Sequence, residues 1–249
     1  MAELRDELLF RQPEASCFGD CPICLLPFSG DDSKSIMMSC CSKMICFGCC
    51  YTNKLREMAK MQVQTCPFCR LPSPATQTEA DENRMKRVEA NDEVAISQKG
   101  SKCYFEGNWG GAFEYWTKAA DLGYSLAHYH LSVLYHSGLG VDRDKKKEAY
   151  HLEQAAIGGH PQARHKIGII ELALGNDDRA VKHFIIAAKL GFGDSMKRLW
   201  ELYAKGYVKK EDLVATLHQH QAAVDEAKSP QRDAAEVRFL DAWLLNWKS

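Results

Sequence analysis

The placement of cysteine constrains this chain more than any other feature. Ten of its eleven cysteines lie between Cys17 and Cys69, and eight of the ten stand in close pairs: Cys21/Cys24, Cys40/Cys41, Cys46/Cys49 and Cys66/Cys69. Three of the pairs are C-x-x-C motifs, read as CPIC, CFGC and CPFC. The first of the nine histidines is His128, so whatever the segment binds, it binds through sulfur. Two thiolates at this spacing sit on one tight turn and can chelate a single tetrahedral zinc at about 2.3 Å per Zn–S bond. The spacing suits disulfides between distant elements poorly, and the odd cysteine total argues the same way. A thioredoxin-like use of one C-x-x-C would need a βαβ context, which the flanking sequence lacks.

A segment this short cannot bury a self-sufficient core. Its apolar set, which includes Ile23, Leu25, Leu26, Phe28, Ile36, Ile45, Phe47, Leu55 and Phe68, is small. Structural zinc supplies about 10–16 kcal/mol of apparent folding free energy per site at neutral pH, so the segment is expected to unfold without metal.

Fifteen residues separate the first pair from Cys40–Cys41, four lie between Cys41 and Cys46, and sixteen lie between Cys49 and Cys66. In this order the segment resembles the RING finger, a small cross-braced α+β zinc fold. The resemblance implies two structural zinc ions. Cys21, Cys24, Cys46 and Cys49 would hold the first, and Cys40, Cys41, Cys66 and Cys69 the second. One departure stands out. The slot three residues before the fifth ligand, usually histidine, holds Lys43. All-cysteine variants leave four residues between the fourth and fifth ligands, which Cys41 and Cys46 do. Adjacent residues chelate one metal only on a bent backbone, so Cys50 or Cys17 stays open as a substitute for Cys40 or Cys41.

RING domains form no covalent intermediate; they hold a ubiquitin-charged conjugating enzyme in reactive geometry. The resemblance therefore implies an E3 ubiquitin-protein ligase whose partners are a ubiquitin-conjugating enzyme and ubiquitin. Enzyme contacts would fall on Ile23, Pro67 and Phe68. Arg70, directly after the last cysteine, matches the linchpin position, where a planar guanidinium can donate to two carbonyls at once. Each has a plainer reading: Ile23 and Phe68 as miniature core, Arg70 as a solvated charge. A non-enzymatic zinc-stabilised adaptor is the alternative function.

Beyond Pro74 the composition changes. Residues 76–94 are charged and free of Pro and Gly, which predicts a mostly exposed helical linker with Arg84, Lys86 and Arg87 on a solvated face. From residue 95 the sequence repeats itself. An alanine anchor recurs at Ala95, Ala127 and Ala163, with Ser195 in the fourth slot, in steps of 32, 36 and 32. A second element, Ala-Ala-x-x-Gly, recurs at Ala119–Gly123, Ala155–Gly159 and Ala187–Gly191. The one long step is assigned to a longer turn, SGLGVDRDKK. Small alanines let helices cross closely, and the glycine suits a left-handed C-terminal cap. Such αα-hairpins cannot bury their apolar stripes alone and stack into a solenoid. The pattern A-x-x-x-L-G-x-x-Y-x-x-G with a later A-A-x-x-G resembles the Sel1-like repeat, a relative of the tetratricopeptide repeat. That family's repeats serve as protein-interaction platforms, so an unidentified substrate or partner protein is expected there.

The expected architecture is a small zinc-stabilised α+β domain followed by an all-α solenoid. Its expected boundaries are an N-terminal segment 1–16, the zinc finger 17–75, the linker 76–94, the solenoid 95–227 and a capping helix or tail 228–249. A net charge of −1, with six Lys/Arg against four Asp/Glu in residues 17–75, argues against nucleic-acid binding. No stretch approaches the roughly 18 apolar residues of a membrane span, and MAELRDELLF lacks the apolar core of a secretory signal. A cytoplasmic location, with nuclear as the other option, is expected. His128/His130 and His218/His220, two residues apart, face different directions on a helix and are not expected to chelate together. Cys103 reads as a buried apolar thiol.

Overall fold

The computed structural model describes residues 2–29 and 34–237. These divide into two compact units. One joins the chain up to Phe18 to Ile96–Val224; the other joins Gly19–Ala95 to the described residues from Asp225 onward.

The cysteine-bearing unit combines two short strands with helices. Strands β1 (Ser35–Met37) and β2 (Met44–Cys46) pair antiparallel with Ile36 opposite Ile45. Helix α2 (Phe47–Ala59) follows directly, with Cys46 as its N-cap. Helix α3 (Gln77–Glu89) begins on a side-chain cap: Thr76 Oγ1 accepts from Glu79 N, and the Glu79 carboxylate reaches back to Ala75 N. The α3 cations differ from the solvated face expected of them. Arg84 pairs with Asp81 and Arg87 with Asp92, and only Lys86 is exposed. Asp92 then caps the start of α4 (Glu93–Phe105) by accepting from Ala95 N at 3.0 Å.

The other unit holds α1 (Ala2–Phe10) and the repeats. After α4 come α5 (Trp109–Asp121), α6 (Ser125–Ser137), α7 (Lys145–Ile157), α8 (Pro161–Ala173), α9 (Asp177–Lys189), α10 (Gly193–Ala204) and α11 (Lys210–Glu226). Each consecutive pair from α5 to α10 is in contact, as stacked hairpins require. Ala95, Ala127, Ala163 and Ser195 are all fully buried, and so are Ala119, Ala155 and Ala187.

The Ala-Ala-x-x-Gly element ends its helix the same way three times. Gly123, Gly159 and Gly191 have φ of +92°, +86° and +86°. Each glycine N–H, and the N–H after it, bonds back to the alanine carbonyls, as in Gly159 N to Ala156 O (3.0 Å) and His160 N to Ala155 O (2.9 Å). The turn inside the α6–α7 hairpin spans residues 138–144, against 106–108 and 174–176 in its neighbours, so the extra four residues sit in this one loop. Close packing explains Gly100 and Gly168. A Cβ there would lie 2.7 Å from the Trp116 and Phe184 rings respectively. Cys103 is buried. His218 is exposed, while His220 Nδ1 meets Ala188 O at 2.8 Å.

Candidate metal centres

The three C-x-x-C segments and the Met38–Lys43 turn bring eight sulfurs together in two groups of four. Cys21, Cys24, Cys46 and Cys49 form one, and Cys40, Cys41, Cys66 and Cys69 the other, with the ligand atoms of each group within 4.8 Å of one another. The arrangement is interleaved along the chain.

Local backbone geometry shows how each pair is presented. In the first segment Leu25 N bonds to Cys21 O (2.8 Å) and Cys21 N to Leu26 O (3.0 Å), framed by a bridge between Asp20 and Pro27. The last segment repeats this: Arg70 N to Cys66 O (3.0 Å), Cys66 N to Leu71 O (2.8 Å), and a bridge between Thr65 and Pro72. In both, the residue after the second cysteine is left-handed, with φ +58° at Leu25 and +64° at Arg70. The adjacent cysteines use a third version. Ser42, directly after Cys41, has φ +56°, and its N–H bonds to Met38 O at 2.8 Å. That bend is what lets neighbouring residues turn both sulfurs to one point. Cys50 and Cys17 fall outside both groups, and Lys43 is exposed with its ammonium 5.9 Å from the Phe68 ring centroid.

The donor set suits zinc. A tetrahedral site with Zn–S bonds of about 2.3 Å places its sulfurs about 3.8 Å apart. Here Cys24–Cys46 is 3.8 Å, Cys41–Cys66 3.9 Å and Cys40–Cys69 3.3 Å. None of the eleven cysteines is joined in a disulfide. Main-chain N–H groups already point at sulfur, Cys46 N to Cys21 Sγ and Cys49 N to Cys46 Sγ, both at 3.4 Å. Electrostatics within each group asks for a cation. The Cys46 hydrogen bond pulls Cys21 down to about 4. Burial pushes Cys41 up to about 11 and Cys49 up to about 12, and burial also raises Cys40. Four thiolates can coexist there only when a dication neutralises them.

The cysteine motifs do not single out the residues that support them. Buried Asn53 and Glu57, one turn apart on α2, hold the loop before Cys66. Asn53 Nδ2 donates to Thr65 O (3.1 Å), and Glu57 Oε2 accepts from Thr65 N (3.0 Å). The Thr65 bonds hold the Glu57 carboxyl below its ordinary range. Their four-residue spacing was the available signal. Arg232 carried none. From the helical residues 230–237 it donates to Cys24 Sγ (3.4 Å) and to the carbonyls of Leu26 (3.0 Å) and Pro27 (2.6 Å). Beside it Gln231 donates to Gly48 O (3.2 Å). Gly48 is required here, because a Cβ would lie 2.9 Å from the Arg232 Cα.

Of the sequence-derived contact positions, Ile23 is 41% exposed and Phe68 43%, so both offer apolar surface. Arg70 is exposed. Pro67 differs from its expected role: it is buried, because the Cys66–Cys69 turn folds it inward, and it presents no surface for a partner.

Comparison with known proteins bears on the repeats. The Sel1 repeat family model matches residues 100–124, 125–160 and 168–192, and the chain carries Sel1 repeats. A Sel1 repeat protein from Oxalobacter formigenes has a solved structure similar over 69% of this chain and 52% of its own, at 25% identity and a TM-score of 0.52. The rat and mouse proteins named DAP3-binding cell death enhancer 1 are 24% and 25% identical over 187 residues, covering 59% of this chain. The chain matches 36% of the length of those relatives. Among the described residues no helix is long and apolar enough to cross a membrane.

Proposed function

We propose that residues 17–75 are an all-cysteine RING-type zinc finger, and that the chain is an E3 ubiquitin-protein ligase whose Sel1 solenoid holds a substrate or partner protein. The interleaved grouping of the eight cysteines carries this reading, since a row of independent zinc knuckles would pair neighbours instead. When bound, two zinc ions supply the charge and tetrahedral geometry that hold the three turns in register. The chain's own residues do the rest. Ile23 and Phe68 give the conjugating enzyme an apolar foothold. Arg70 donates from its guanidinium to enzyme and ubiquitin together, favouring the closed arrangement in which an acceptor lysine attacks the thioester. The cytoplasm is the proposed setting, because thiolate ligands need a reducing compartment.

Single-turnover discharge of ubiquitin from a charged conjugating enzyme to free lysine tests this. Ile23→Ala should weaken docking. Arg70→Ala should leave docking largely intact and slow discharge at least tenfold, because the linchpin acts on the reactive arrangement. Both variants should keep their zinc. Wild type that stimulates no discharge across a broad panel of conjugating enzymes would replace the ligase with a zinc-stabilised adaptor.

A further inference from the structure

One element of the repeat-bearing unit is not a repeat. Helix α1 packs on α7 and α9, and three residues in its second half each meet a specific receptor. Leu9, 2% exposed, joins the cluster of Leu152, Ala155 and Ile167. The Phe10 ring lies 4.8 Å from that of His183, with the Arg179 guanidinium 4.9 Å from its centroid. Asp6 accepts from Arg179 Nη1 at 2.7 Å. Asp6, Leu9 and Phe10 stand at i, i+3 and i+4, the spacing of one helical face, while Leu8 is 52% exposed.

Arg164 is the strongest pointer. It is fully buried on α8, and its hydrogen bonds run to the main-chain carbonyls of Leu9 and Ala156. Its Nε has no partner among the described residues. The matching positions after the other anchors are Ile96, His128 and Met196. Repeat packing by itself therefore does not call for a cation there. A buried guanidinium is costly unless something negative meets it. What meets it are the C-terminal turns of α1 and α7, through Leu9 O and Ala156 O, each the negative end of a helix dipole.

We propose that this surface of α7, α8 and α9 is the solenoid's ligand site and that α1 occupies it as an intramolecular ligand. The partner it fits is a short helix bearing an acidic residue, a leucine three positions on and an aromatic residue next to it, with the carbonyl of that leucine read by Arg164. Such a partner enters by displacing α1. The inference rests on the reading of the solenoid as a protein-binding platform, and it is independent of ubiquitin transfer.

The test uses the full-length chain and a fluorescent peptide of residues 1–18, followed by anisotropy. The Leu9→Asp variant should release α1 and bind the peptide saturably. Wild type should bind it at least tenfold more weakly, because the tethered segment competes at high effective concentration. Adding Arg164→Met to Leu9→Asp should abolish peptide binding. Phe10→Ala serves as a milder release variant. A folded Leu9→Asp or Phe10→Ala protein that leaves the peptide unbound overturns the proposal. So does wild type that binds equally well, or loss of helical circular dichroism in both release variants, which would make α1 a structural part. Ubiquitin discharge by wild type, measured alongside, reports separately on the ligase reading.

Discussion

The two units use different sources of stability. Between Gly19 and Ala75 the buried apolar side chains among the described residues are Ile45, Pro67 and four cysteines. The repeats bury Leu131, Leu134, Leu152, Phe184 and Leu199 almost completely, with a ladder of alanines between them. Fully burying one such large side chain is worth about 1.5–3 kcal/mol, so the repeat unit accumulates its stability residue by residue. The cysteine unit has too few such groups, and concentrates its stability in two points where four sulfurs converge. A fold held at points is decided by backbone turns that aim side chains, hence the left-handed residues at Leu25, Ser42 and Arg70. A fold held along surfaces is decided by size, hence Ala and Gly where helices cross.

This contrast can be broken most forcefully by removing metal. Chelation should unfold the cysteine unit, withdrawing about 10–16 kcal/mol per site, while most of the helical far-ultraviolet signal persists. Loss of the helical signal in step with zinc would mean that the repeats also depend on metal.

Size is the lever for the other unit. In Gly168→Val the Cβ alone would lie 2.7 Å from the Phe184 ring. The substitution should cost about 1–3 kcal/mol by overpacking, read as a lower melting temperature with zinc content unchanged. An unaltered transition would show that this crossing is loose.

Acid should separate the units further. Burial, with Arg164 and Arg179 nearby, pushes the His183 imidazole down to about 3. Burial, with His130 and Lys166 nearby, does the same to His160, also to about 3. Their ordinary value is about 6.5, so the unfolded chain binds protons that the fold refuses. The repeats should be fully stable above about pH 6.5 and lose stability as pH falls toward 3. The loss is on the order of 1 kcal/mol from each histidine by about pH 5.5. Melting in the presence of chelator, from pH 7.5 to 5, isolates this slope; a flat profile would contradict it.

The smallest expected effect is local. Arg232→Gln removes the donor to Cys24 Sγ and loosens the contact with Leu26 and Pro27. Zinc should bind the first group about 10–100-fold more weakly, and the second should be unchanged. Two-phase release to a chromogenic chelator would show this, and a single unaltered phase would deny Arg232 the role.

What could be read from the sequence follows the same division. The repeats were legible because Ala155, Ala187 and their partners recur at steps of 32 or 36 residues, and the same burial recurs with them. The cysteine pairs were legible because each sits in a turn only a few residues long. Long-range contacts left no such trace. Arg232 lies 208 residues from Cys24, and Arg164 lies 155 from Leu9. Residues 2–18 group with the repeats and residues 225–237 with the cysteine unit. In sequence these stretches read as a separate N-terminal segment, 1–16, and a capping helix or tail, 228–249. The α3 cations differ for a local reason: Asp81 and Asp92, which pair with Arg84 and Arg87, belong to the same charged run, and composition alone does not show which charges pair.

The central claim is that one chain holds two metal ions through interleaved cysteines. Native mass spectrometry of the intact protein, purified without added metal and compared with its Cys41→Ser variant, tests it directly. The expected result is two zinc ions per wild-type chain and loss of the second-site ion in Cys41→Ser. One zinc or none in wild type, or two retained in Cys41→Ser, would contradict it.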